Sequence, residues 1–282
     1  MKFKNPGAEF FVPDGMTGDA AISRTTHISI SAHQDDIEIM AAAGILECFG
    51  RADKWFAGVV VTNGAGSPRD DLYADYTDEQ MREVRKLEQK KAAFVGEYSF
   101  QALLDYSSSE IKDPCGAGPV EDIKNILLAA RPDVVYTHNL ADKHDTHIGT
   151  AMKVIKAIRE MPEDARPKAV YGCEVWRDLD WMNDADKIAL DTSAHENLSM
   201  ALLGVFDSQI CGGKRYDLAT QGRRRAHATY FASHGTDTTT GMNFAMDLTP
   251  LIKDVNLDPV EYLAGYIKRF HDEVISRVGK LK

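Results

Sequence analysis

The sequence predicts an α/β fold in which helices cover both faces of a largely parallel sheet. Three observations predict it. Short apolar runs alternate with helical patterns from His27 to Trp176. The runs are close to continuously apolar, as in strands buried on both faces. Three of them end in polar clusters, and parallel sheets bind ligands outside the carboxyl ends of their strands.

The elements follow in order. His27 to Ala32 reads as a strand, and Ile37 to Phe49 as a helix ending near Gly50. Trp55 to Thr62 (WFAGVVVT) is a second strand, and Asn63-Gly64-Ala65-Gly66-Ser67-Pro68 is a loop by composition. Thr77 to Val95 reads as a long charged helix, with Thr77 and Gln80 spaced for a capping box. Phe100 to Leu104 gives a third strand, Val120 to Ala130 a helix stopped near Pro132, and Val134 to Thr137 a fourth strand. His147 to Arg159 is a helix and Ala169 to Trp176 a fifth strand. The alternation describes a Rossmann-like sheet with right-handed crossovers. Beyond Trp176 the pattern weakens. Ala194 to Phe206, Asp217 to Tyr230 and Val260 to Val278 read as helices, and His234 to Asn243 as a polar loop. With no Pro- or Ser-rich linker and no repeat, the expectation is one domain over 1–282. Its core covers about residues 25–180, and a helical and loop elaboration covers about 181–282.

Composition narrows the function classes. The net charge is −10, so the chain has no broad basic footprint for nucleic acid. Its one basic run, Arg223-Arg224-Arg225, reads as a solvated helix face, and His195, His227 and His234 as surface or loop residues. Cys48, Cys115, Cys173 and Cys211 are scattered without a C-x-x-C pair, which argues against a Cys-rich zinc site or a disulfide framework. No window reaches 18 apolar residues, so no membrane partner is expected, and the N-terminus has no secretory pattern. The expectation is a reduced, cytoplasmic protein. Whether it forms a homo-oligomer is not legible.

Two stretches carry the chemistry. The first strand ends in His33-Gln34-Asp35-Asp36, which places an imidazole beside two adjacent carboxylates. The stretch HNLADKHDTHIGTA, residues 138 to 151, follows the fourth strand and carries His138, Asp142, His144, Asp145 and His147. His144 and His147 are three apart and share a face where the loop winds into a helix. Two imidazoles and one carboxylate with an open position describe a catalytic zinc site, and the same trio suits iron(II) or another divalent ion. The doubled carboxylate then makes sense. One binds metal, while the other stays free beside a bound water whose pKa zinc brings down to roughly 7, and can move its proton. Asp36 as ligand and Asp35 as base is one assignment, and geometry could reverse it. Taken singly, a histidine at a strand end is usually a satisfied polar residue, and an Asp pair opening a helix is often a cap. The two clusters at matching sheet ends argue against that reading.

The chain resembles the LmbE/PIG-L family of zinc-dependent N-deacetylases in four ordered motifs. The family's A-H-P-D-D-E is Ala32-His33-Gln34-Asp35-Asp36-Ile37 here, and its V-T-N/D-G is Val61-Thr62-Asn63-Gly64. R-x-x-E-x-x-x-A is Arg85, Glu88 and Ala92. R-P-D-x-V followed by D-x-H-x-x-H is Arg131 to Val135 and Asp142 to His147. The resemblance implies that His33, Asp36 and His147 hold the metal. It makes Asp35 the general base and then the acid for the departing amine, and His144 the stabiliser of the oxyanion. Arg85 would reach substrate hydroxyls or an anionic group, although a surface salt bridge with Glu88 is the plainer reading. Asn63 joins the substrate-binding set, and Trp176, after the fifth strand and outside these motifs, reads either as a platform for a sugar ring or as a core or rim aromatic. Asp142 would orient a histidine behind the metal.

Three positions depart from the motif. Gln34 replaces proline, Ile37 replaces the acid with Glu38 one place later, and H-P-D-H becomes His144-Asp145-Thr146-His147. None removes an implied ligand. Tyr171, Glu174 and Arg177 are expected beside Trp176 at the pocket rim, and Asp207-Ser208-Gln209 as a structural turn. The implied activity is hydrolysis of an N-acetyl group on an amino sugar or sugar conjugate, a small-molecule partner. The alternatives are a metal-dependent amidase for a non-sugar amide and a non-catalytic metal-containing carbohydrate-binding protein. A nucleotide-binding module would need a Gly-rich phosphate turn where His33 to Asp36 stand.

Overall fold

The computed structural model describes all 282 residues. Eight strands form one sheet: β1 (Glu9–Phe11), β2 (His27–Ser31), β3 (Phe56–Thr62), β4 (Gln101–Tyr106), β5 (Val134–His138), β6 (Ala169–Cys173), β7 (Lys187–Asp191) and β8 (Met242–Asp247). Their spatial order is β1-β4-β3-β2-β5-β6-β8-β7. The five middle strands by chain order, β2 to β6, are mutually parallel, as the alternation predicts. Antiparallel strands extend both edges: β1 on β4, and β8 on β6 with β7 outermost.

Twelve helices cover the sheet. They are α1 (Gly18–Ser23), α2 (Asp36–Met40), α3 (Ala42–Cys48), α4 (Asp78–Val95), α5 (Ser108–Lys112), α6 (Ala117–Ala130), α7 (Asp145–Arg159), α8 (Glu196–Gly204), α9 (Asp207–Ile210), α10 (Tyr216–Tyr230), α11 (Thr249–Lys253) and α12 (Pro259–Leu281). No helix is long and apolar enough to cross a membrane. Neighbouring strand residues face opposite ways, and the core divides accordingly. Val59 and Val61 pack with α6 and α7, whereas Val60 packs with α3 and α8.

Local chemistry sets the boundaries. Thr77 and Gln80 form the expected capping box at the start of α4. The expected helix from Ile37 to Phe49 is instead two, broken at Ala41, where φ is −109° and ψ 20°. The break lets the short α2 end inside the protein, and Arg224 of α10 donates to its terminal carbonyls at Glu38 and Ile39 (2.7 and 3.1 Å). Arg224 is therefore buried, which corrects the reading of residues 223–225 as a solvated face. His227 is buried too and is no surface residue. Its Nε2 meets Glu174 Oε1 at 3.0 Å and its ring stacks on Phe244.

The order reverses direction between β3 and β5 on either side of β2. That switch opens a crevice at the carboxyl ends of β2 and β5, where both polar clusters emerge.

Candidate active site

His33, Asp35 and Asp36 leave the end of β2 in a sharp turn. Asp35 takes φ +89°, a left-handed conformation that is uncommon for a residue with a side chain. Its N–H donates to Gln89 Oε1 at 3.3 Å. The turn lets the His33 N–H donate to Asp36 Oδ2 at 2.7 Å, while Asp36 begins α2. From the far side of the crevice, α7 brings His147, which is fully buried.

Three donor atoms converge. His33 Nδ1 lies 3.1 Å from His147 Nε2 and 3.3 Å from Asp36 Oδ2, and His147 Nε2 lies 3.5 Å from Asp36 Oδ2. Burial lowers the His147 pKa to about 4, so its ring is neutral near pH 7. Two imidazole nitrogens and a carboxylate oxygen meeting at one point is the donor set of a divalent cation. The residues fit a metal.

Behind this trio stands Asp142. Its Oδ2 lies 3.5 Å from His147 Nδ1 and accepts the Trp176 N–H at 3.1 Å, and its Oδ1 accepts the His144 N–H at 3.0 Å. One carboxylate thus ties together a ligand candidate, the start of α7 and the pocket wall. His144 caps α7, and its Nδ1 accepts the Thr146 N–H at 3.3 Å. In the neutral ring the proton then sits on Nε2.

His138, at the end of β5, was assigned no role from sequence. It is fully buried, stacks on His147 with ring centroids 3.9 Å apart, and lies 3.4 Å from Asp36 Oδ2. It could form a second triad with Asp36 and His147. However, its Nε2 accepts the Ala32 N–H at 2.9 Å, which engages the lone pair a metal would need. His138 is better read as the wall that fixes His147 and the end of β2. The sequence signal was a histidine closing a strand adjacent to β2.

Asp35 is buried, and burial holds its carboxyl well above the usual range, against the opposing pull of Arg85. Arg85 does not form the plain surface salt bridge with Glu88. It is buried, lies 3.5 Å from Asp35 Oδ2, and donates to the Gln34 carbonyl and to Ser67 Oγ. Glu88 instead accepts from the N–H and hydroxyl of Ser208 at 2.7 and 2.6 Å, so Asp207-Ser208-Gln209 docks on α4. Gln34, in place of proline, donates to the Thr62 carbonyl at 3.2 Å and links the ends of β2 and β3. Gly64 takes φ +68° against the Gln34 amide, where a Cβ would collide. Glu38 is buried at the back of α2, its Oε1 accepting from Tyr98 and Gln89 at 2.7 and 2.9 Å.

A cavity of about 450 Å³ opens above the trio. His33, Asp35, Asp36, Asn63, Arg85, His144 and Trp176 line it, so the structure gathers most of the residues expected from sequence. His147 and Asp142 lie beneath it. Asn63 uses its Oδ1 to hold the turn, accepting the Ala65 N–H at 3.1 Å, which leaves its amide nitrogen for a ligand. Tyr171, Glu174 and Arg177 do not line the cavity, because β6 ends at Cys173 and the chain turns inward. Glu174 is fully buried, accepting the Leu179 and Phe244 N–H groups at 2.6 and 2.8 Å. Tyr216, Lys214 and Lys112 line the cavity without having been singled out, and Gln209, read from sequence as part of a structural turn, lines it too. All lie on elements that only tertiary folding brings there.

No curated protein matches the sequence. Among solved structures, N,N'-diacetylchitobiose deacetylase from Pyrococcus horikoshii superposes with a TM-score of 0.59 at 16% identity, covering 78% of this chain and 83% of that one. A 4-carboxy-2-hydroxymuconate hydratase from Pseudomonas putida KT2440 gives 0.58 at 15% identity, covering 80% and 96%. The zinc-inhibited form of teicoplanin deacetylase gives 0.54 at 13%, covering 78% and 97%. At these identities the likeness is one of fold. Residues 28–158 match the family model described as GlcNAc-PI de-N-acetylase. That span holds all four sequence motifs and every donor atom of the buried trio, and over it the chain matches the PIG-L family model.

Proposed function

We propose that this protein is a divalent-metal-dependent N-deacetylase. It hydrolyses the acetamide of an N-acetylated amino sugar or sugar conjugate to acetate and a free amine, in the reducing cytoplasm. The observation that carries the reading is the convergence of His33 Nδ1, Asp36 Oδ2 and His147 Nε2 below a cavity that also holds Asp35 and His144. The fold does not carry it, since a hydratase shares that fold.

His33, Asp36 and His147 would hold the ion. When bound, zinc, or iron(II) on the same donors, supplies Lewis-acid chemistry that polarises a carbonyl and acidifies water. The chain's own groups do the rest. Asp35, its basicity raised by burial, takes a proton from the attacking water. As the C–N bond breaks, it returns that proton to the nitrogen. His144, with its proton on Nε2, donates to the oxygen that gains charge when water adds. Trp176 and the free amide nitrogen of Asn63 orient the sugar. Arg85 fixes the Gln34 carbonyl and the Asp35 carboxylate, so the base stays aimed at the cavity.

The test is release of primary amine, read by fluorescamine, over a panel of N-acetyl sugars and conjugates, before and after chelation and after reloading with one equivalent of zinc or iron(II). Activity that chelation abolishes and metal restores is expected. Undiminished turnover after thorough chelation would remove the metal from the mechanism, and release only from non-sugar amides would transfer the reading to an amidase.

A further inference from the structure

Helix α12 leaves the body of the protein partway along its length. Its first turns are held there. Tyr266 is buried and Leu263 packs on the core. The Tyr262 hydroxyl donates to the Asp247 carbonyl at 2.7 Å, and Arg269 Nε donates to Asp186 Oδ2 at 2.7 Å. From His271 onward no residue is buried. The ion pairs of that half stay within the helix, as Lys268–Asp272 and Arg277–Glu273 do. A helical segment of about three turns without packing is marginal in water, and Gly279 lowers its propensity further.

The free half is nevertheless apolar along one line. Val260, Ile267, Val274 and Leu281 recur every seven residues, with Ala264, His271 and Val278 between them. All seven are exposed, Val260, Ile267 and Val278 by 70, 51 and 63%. They lie beside the face that Tyr262 and Tyr266 turn to the core. The stripe runs the length of a 23-residue helix, about 34 Å. A seven-residue apolar repeat is the seam of a coiled coil, and one polar residue in such a seam, here His271, fixes its register.

Charge identifies the occupant. Residues 254–261 carry Asp254, Asp258 and Glu261 and no Lys or Arg, whereas residues 277–282 carry Arg277, Lys280 and Lys282 and no carboxylate side chain. A parallel pair would set like charge against like, and an antiparallel pair sets the basic end of each helix on the acidic start of the other. Glu261 and Lys282 stand three heptads apart on one flank of the seam, so a pair centred near His271 brings Glu261 of one copy to Lys282 of the other. Neither has an ion-pair partner within 4.0 Å in its own chain. A helix that lies on a membrane has a predominantly basic polar face, whereas the polar side of α12 mixes Glu261 and Asp272 with Lys268.

We propose that α12 is a dimerisation element, which buries its heptad stripe in an antiparallel coiled coil with α12 of a second copy of this chain.

The experiment is sedimentation equilibrium of the full chain at about 1 to 100 μM, the weak end of the affinity range for protein interfaces. A mass of twice 31.2 kDa is expected. Val274→Glu/Val278→Glu, at two exposed positions, should sediment as a monomer with the near-ultraviolet circular dichroism of the wild type. Glu261→Lys should weaken the dimer by about 10-fold at low salt, because two symmetric contacts turn from attraction to repulsion. Adding Lys282→Glu in the same chain should restore it, a rescue that a parallel pair would not show. A monomer at every concentration, any mass other than two chains, a dimer that survives the two glutamates, or a failure of the charge swap to rescue would overturn the proposal. A monomer that instead binds vesicles of phosphatidylcholine and phosphatidylglycerol would overturn it in favour of a membrane surface.

Discussion

The guanidinium of Arg224 donates to the main-chain oxygen of Glu38 at 2.7 Å across 186 residues of sequence. It also reaches Ile39 O, Asn243 Oδ1 and Ser199 Oγ at 3.1, 3.0 and 2.6 Å. A buried cation with four neutral acceptors closes the carbonyl end of α2, the helix that Asp36 opens. The C-terminal region thereby fixes the helix that presents Asp36.

Replacing this residue should therefore register in two ways. Arg224→Gln leaves buried carbonyls without donors, at a cost of about 3 kcal/mol. It should also weaken zinc binding as Asp36 loses its fixed position. Urea denaturation checks the first effect and competition with a chelating dye the second. Unchanged metal affinity in a destabilised variant would leave Arg224 a purely structural residue.

Asp35→Asn keeps the shape of the turn and removes the base. The expected result is full metal content with kcat lowered at least ~10²-fold, followed by metal analysis and steady-state kinetics. Near-normal turnover would take Asp35 out of the reaction.

Metal retention should follow the buried imidazole. With the His147 pKa lowered to about 4 by burial, protons compete for its nitrogen only in acid. Zinc should stay bound through dialysis at pH 6 and leave as the pH falls toward 4, and His147→Ala should hold none at either. Release by half at pH 6 would mean that burial of His147 does not protect the site from proton competition.

Glu38 makes stability depend on pH in the opposite sense to most carboxylates. Burial raises its pKa from 4.5 to about 8, and its Oε2 has no partner. The unfolded chain ionises above about pH 4.5 while the folded one holds its proton, so stability falls as pH rises from about 4.5 to about 8. The slope from this one group is at most about 1.4 kcal/mol per pH unit. Glu38→Gln should flatten that decline, as measured by denaturant unfolding at several pH values.

Elements whose signals are local were legible in the sequence. The Thr77–Gln80 box fixed α4 to the residue, and continuous apolar runs located β2, β3, β5 and β6. Motif order alone groups His33, Asp36 and His147, whose donor atoms lie within 3.5 Å of one another. The antiparallel strands that extend the sheet were not legible. MNFAMD at β8 has neither strict alternation nor a continuous apolar run, and it becomes a strand by pairing with β6 and β7. Arg224 and His227 misled for a related reason. A charged residue in a basic run reads as solvated, and only distant partners, two carbonyls on α2 for one and Glu174 for the other, make its burial tolerable.

The backbone at Asp35 sets what selection would do with this position. A left-handed φ of +89° suits glycine better than any residue with a Cβ. In a library sorted for heat resistance alone, glycine should outcompete aspartate there, and the survivors should be robust, well folded and inert.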